Sequence, residues 1–86
     1  MTKFYMRWKL NPTLIPANLE ERLKLWISMH KTVRTDLKAD AISDWGIYDE
    51  ASAGYSFVEG DEESVYETLK KLIPYVIFDI KPIPQL

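Results

Sequence analysis

Polar and apolar residues alternate strictly at the start of the chain. Phe4, Met6, Trp8 and Leu10 fall on one side and Lys3, Tyr5, Arg7 and Lys9 on the other, the period of a half-buried strand. Asn11-Pro12 and Pro16 break that pattern, so residues 11–17 read as a stiff loop. From Asn18 the period changes. Leu19, Leu23, Trp26, His30, Val33 and Leu37 recur at intervals of three and four, and Leu25 and Met29 widen the apolar side. Asn18 with Glu21 three residues later predicts a capped start, and Glu20 before Lys24 is the favourable order for an i,i+4 ion pair. The helix so predicted is about twenty residues long, beyond the usual mean of about 11–12.

Asp44-Trp45-Gly46-Ile47-Tyr48-Asp49 predicts a second strand and Tyr55 to Glu59 a third, joined by a short turn from Glu50 to Gly54. Two registers remain open, in which either Trp45 and Ile47 or Gly46 and Tyr48 face the core. Asp61 caps a second helix with Val65, Leu69 and Leu72 as its apolar stripe and Glu67–Lys71 as a surface pair, and Pro74 ends it. The last strand is Tyr75 to Ile80, stopped by Pro82 and Pro84. Val76, Phe78 and Ile80 should face inward, and Tyr75, Ile77, Asp79 and Lys81 outward.

Strand, helix, hairpin, helix, strand over residues 1–86 reads as one ferredoxin-like α+β domain, βαββαβ. Each helix has a single apolar stripe, so both should cover one face of a four-stranded antiparallel sheet. The other face stays bare and holds Lys3, Tyr5, Arg7 and Lys9; the third strand adds Tyr55, Phe57 and Glu59 to it if Ser56 and Val58 face the core, and the reverse assignment stays open. Aromatics in the middle of an uncovered sheet form a patch that a monomer rarely leaves exposed.

Composition narrows the possibilities. A chain of 86 residues buries only about 60% of its unfolded surface, so a partner often completes such a core. At 47% hydrophobic residues the chain is a folding sequence and not a disordered one. Without cysteine there is no disulfide, thiolate metal site or cysteine nucleophile, which suits a reducing cytoplasm, the expected location. The charged, alternating N-terminus is unlike a signal peptide. The longest apolar stretch, Leu72 to Ile80, is interrupted by Pro74 and Asp79, so no membrane span is expected. With a net charge of −2, nucleic-acid binding would need the basic residues gathered on one face.

Candidate chemistry is sparse. If the first and last strands pair, Tyr5, Arg7 and Asp79 come together. An arginine–carboxylate pair beside a phenol can orient a small acid, or can be a plain cross-strand ion pair. His30, the one histidine, is either a general base or a core-edge residue filling a leucine-sized slot. Glu59, Asp61, Glu62 and Glu63 suit the positive end of the second helix better than a cation site. No glycine-rich phosphate loop, catalytic triad or metal-ligand spacing occurs, and no cofactor or metal is implied.

Two resemblances follow from these segments. Gly54-Tyr55-Ser56-Phe57-Val58 resembles the third-strand signature of the RNA-recognition motif, with Tyr5 matching the stacking aromatic of its first strand. The basic residue that opens that signature is replaced by Ala53, and its closing aromatic by Gly60. Over nearly its whole length the chain resembles the dimeric α+β barrel superfamily, which includes muconolactone-isomerase-like proteins, antibiotic-biosynthesis-type and haem-degrading monooxygenases, and families of unknown function. The segments that carry this are "MRWKLNP", "ERLKLWISMHKTV", "GYSFVEGDEESVYETLKKL" and "PYVIFDIKP". The resemblance implies a homodimer packed sheet to sheet, with a small pocket between sheet and helices or between the two sheets. It implies a small hydrophobic or aromatic ligand near Tyr5, Arg7, Tyr55, Phe57 and Asp79. Alternatively it implies a cofactor-independent monooxygenase- or isomerase-like enzyme, with His30 and Arg7 as candidate catalytic residues. The haem-degrading members use an Asn, Trp and His constellation, of which only the Trp and His types recur here. Single-stranded RNA is the less favoured partner.

Overall fold

The alternating segment at the N-terminus becomes the inside of the sheet. In a computed structural model that describes residues 2–48 and 51–84, β1 (Thr2–Leu10) pairs antiparallel with both β3 (Ala53–Gly60) and β4 (Val76–Ile83). The remaining elements are α1 (Leu19–Lys38), β2 (Asp44–Ile47) and α2 (Glu62–Leu69). β2 pairs antiparallel with β3, so the element order βαββαβ gives a four-stranded sheet of order β2-β3-β1-β4. The chain is an α+β protein with two helices on one face of an antiparallel sheet.

The core lies between that face and the helices. Phe4, Met6 and Trp8 from β1, Val58 from β3 and Val76 from β4 are buried with Met29 and Val33 of α1 and Val65 and Leu69 of α2. Ile42 and Leu72, just beyond the two helices, close its ends. The open hairpin register resolves with Trp45 opposite Ser56, on the helix side, where its ring stacks on Trp8 at 4.9 Å. Gly46 and Tyr48 therefore belong to the bare face. The expected end of the second strand at Asp49 and the turn residue Glu50 lie outside the described residues.

Both helix starts follow the capping chemistry of the sequence. Asn18 Oδ1 accepts from the Glu21 amide at 3.1 Å and Asp61 Oδ1 from the Ser64 amide at 2.7 Å. The Asp61 carboxyl is held below its ordinary value by those bonds to Ser64. The Glu20–Lys24 pair forms, at 3.5 Å.

Four expectations need correction. The apolar stripe of α1 meets the core only from Leu25 onward, and Leu19 and Leu23 are exposed together with Ile27. The buried line runs Met29, Val33, Asp36, so a carboxylate continues the stripe. Lys71 does not pair with Glu67. Lys70 takes that partner one turn away, and Lys71 reaches Asp36 at 2.6 Å. Ile80 faces the helix side opposite Met6 yet is exposed, because eight-residue α2 leaves the β4 edge uncovered. Finally, β4 runs through Pro82 to Ile83, which is tolerated because β4 is an edge strand with an unpaired side.

Candidate functional site

Strand pairing sorts the bare face into rows. Opposite Lys3 stand Glu59 on β3 and Ile83 on β4. The next row is Asp44, Phe57, Tyr5, Lys81, and the one after it Gly46, Tyr55, Arg7, Asp79. A last row holds Ala53, Lys9 and Ile77, with the Tyr48 amide donating to the Ala53 carbonyl at its end. The aromatic residues touch in sequence across these rows. Ring centroids are 5.4 Å apart for Tyr5–Phe57, 6.1 Å for Phe57–Tyr55 and 6.4 Å for Tyr55–Tyr48. All four side chains belong to a face with no helix over it. Lys3 places its ammonium 5.5 Å from the Phe57 ring centre, in cation–π range.

The backbone beneath is held by glycines and one indole. Gly54 faces the helix side opposite Trp8, and the missing side chain lets the indole lie against the sheet. Trp8 Nε1 then donates to the carbonyls of Gly46 and Tyr55, at 3.2 Å each. One buried ring thus anchors the two positions that bear the centre of the aromatic row. Ser56 Oγ, fully buried between them, donates to the Asp44 carbonyl at 2.7 Å.

The charges are arranged around this row. Arg7 donates to Asp79 Oδ2 at 3.0 Å, and that bond and charge hold the guanidinium further above its ordinary value. The nearby Asp44 carboxylate pushes the Tyr55 phenol above its ordinary value. At the Lys9 end a shallow hollow of about 500 Å³ opens, lined by Arg7, Lys9, Tyr48, Ala53, Ile77 and Asp79 together with Trp8, Gly54 and Phe78 of the intervening row.

Tyr5, Arg7, Tyr55, Phe57 and Asp79 are thus brought together on one face. His30 is not among them. It sits on α1 with its ring 4.4 Å from that of Trp26, on the helix side of the sheet, where burial and the charge of Arg34 lower its pKa. His30 and Arg7 are separated by the sheet itself. Among the described residues no three His, Asp or Glu side chains converge as a metal site requires, and no helix is long and apolar enough to cross a membrane. Sequence reasoning left Tyr48 and Asp44 out of the site, because the β2 register was undetermined. The signal available was Gly46, a residue without a side chain opposite a tyrosine.

No protein-family model matches this chain, and no curated protein matches it either.

Proposed function

We propose that the chain is a ferredoxin-like domain of the dimeric α+β barrel type, a homodimer packed sheet to sheet that binds a small hydrophobic or aromatic molecule at its open face. The observation that carries this is the row Tyr48, Tyr55, Phe57, Tyr5, four touching rings on a sheet face that no helix covers. Aromatic rings contribute strongly to interfaces, and an exposed patch of this kind marks an interaction or ligand site. The order β2-β3-β1-β4 supports the reading by putting that row in the middle of the sheet.

The enzyme alternative has less support. Its acid–base candidate His30 lies across the sheet from Arg7, so chemistry at the open face would rest on Arg7 and the tyrosines alone. The RNA alternative has Tyr5, Tyr55 and Phe57 together and outward, as stacking requires. Affinity for RNA also needs free cations. Here Lys3, Arg7, Lys9 and Lys81 share the face with Asp44, Glu59 and Asp79, and Arg7 is already paired.

Light scattering coupled to size exclusion, at several protein concentrations, tests the proposal. A two-chain mass is expected, and a stable monomer overturns it. Saturable binding of single-stranded RNA by such a monomer at low salt would transfer the reading to RNA.

A further inference from the structure

The rows of the bare face match themselves best in one orientation, and the geometry points to a dimer whose two-fold axis runs along the strands between β1 and β3. This inference rests on the homodimer proposed above and adds its geometry and its shared site. Two sheets that face each other across a dyad have that axis in the plane between them. Turning the sheet about a line parallel to its strands keeps each row at its own level and exchanges the columns. β3 then lies over β1 of the second copy, and β2 over β4.

The consequences can be read from the register. Asp44 of one copy stands over Lys81 of the other, and Glu59 over Lys3. Phe57 stands over Tyr5, and Tyr55 over Arg7, ring against ring and ring against guanidinium. Every pair occurs twice by symmetry. An axis running across the strands gives a poorer match: it sets Lys81 over Asp79, but it also sets Lys3 over Lys9, leaves Glu59 over Ala53 and places Asp44 over Gly46, so one attractive pair is offset by one repulsive pair. Opposed like charges disfavour that arrangement.

The same axis brings the two hollows together. Each lies mainly on the Arg7 and Lys9 rows, with the Trp8 row between them, and those rows face their own copies, so two shallow surfaces close into one chamber. Each copy contributes Arg7 and Lys9 against Asp79, a surplus of one positive charge, with Tyr48 and Ile77 as apolar walls. The ligand class is a small organic anion with a flat apolar body, held between two protomers. Neither copy alone encloses it.

Charge exchange tests the axis. Asp44→Lys opposes two lysines twice in its homodimer, and Lys81→Asp opposes two aspartates twice. Each variant should dimerise about tenfold more weakly than the parent chain, and an equimolar mixture should recover full affinity as a heterodimer. Circular dichroism confirms that both variants fold. If both remain dimeric with no heterodimer preference, the axis is wrong while the homodimer stands; a monomeric parent chain removes both. For the chamber the probe is 1-anilinonaphthalene-8-sulfonate. Lys9→Glu reverses two charges in the chamber and should weaken its binding by at least about tenfold in a variant that still dimerises. No binding to the parent chain, or binding that Lys9→Glu leaves unchanged, overturns the shared anion site.

Discussion

The Tyr55 ring occupies the space that a side chain on Gly46 would fill. The two residues are directly opposite in the β2–β3 pairing, and a methyl group on Gly46 would come to 2.0 Å from the ring. Glycine in a strand interior ordinarily weakens it. Here the cross-strand ring covers the bare backbone and becomes the centre of the aromatic row. On the opposite face Trp8 does the same over Gly54, so this end of the hairpin is held from both sides.

The two glycines should respond differently to alanine. At Gly54 a methyl would meet the Gly46 carbonyl at 1.9 Å and the Trp8 ring at 2.6 Å, and neither can move away. Gly54→Ala should cost about 3 kcal/mol or more in urea unfolding. At Gly46 the obstacle is the end of a half-exposed side chain that can swing outward. Gly46→Ala should cost about 1 kcal/mol or less, while weakening self-association because Tyr55 leaves its place. Equal stability losses would contradict this account.

Asp36 is 5% exposed, and its Oδ2 has no hydrogen-bond partner, so the ammonium of Lys71 on Oδ1 is its compensation. Removing one member of such a pair leaves a buried charge, and the half-exposed lysine moderates the loss. Lys71→Met should destabilise by about 1–3 kcal/mol, and Asp36→Asn by less, as read from denaturant midpoints. A Lys71→Met protein as stable as the parent would show that the pair contributes nothing.

His30 makes stability pH-dependent. Burial, followed by the charge of Arg34, lowers its folded pKa below the ordinary 6.5. As pH falls the unfolded chain takes up the proton first, so stability is complete above that ordinary value. It is lost as pH falls from there through the lower folded value. His30→Leu should remove this part of the slope and fold at least as stably at acid pH, measured by thermal melts across the range. An unchanged slope would assign the dependence to other groups.

Asp40 holds a left-handed backbone at φ 60° immediately after α1. The Ala41 amide donates to the Asp36 carbonyl and the Asp40 amide to Leu37, the two bonds of a Schellman ending. Glycine is the residue this position favours. Asp40→Gly should therefore stabilise by about 0.5–1 kcal/mol, seen as a melting temperature several degrees higher. A lower melting temperature would mean that the aspartate side chain matters more than its backbone.

Much of the architecture is legible along the chain because its signals are local. The period of two in residues 3–10 and the period near 3.6 after Asn18 identify β1 and α1, and Asn18 and Asp61 mark both helix starts. Side-chain parity on β1 and β4 likewise assigns Tyr5, Arg7 and Asp79 to one face. The exposed first turns of α1 were not legible. Leu19 and Leu23 fit the stripe as well as Val33 does, and only the extent of the surface beneath the helix separates them.

Sequence by itself determined the kinds of elements, their order and the faces of β1 and β4, since these follow from neighbours two to four residues apart. Tertiary structure alone decided the register of the hairpin, and with it the membership of Tyr48 and Asp44 in the aromatic face. It also decided the partner of Lys71 and the separation of His30 from Arg7. Each of these depends on residues far apart in the chain meeting at one place. Periodicity along a chain carries no record of which distant residue lies opposite.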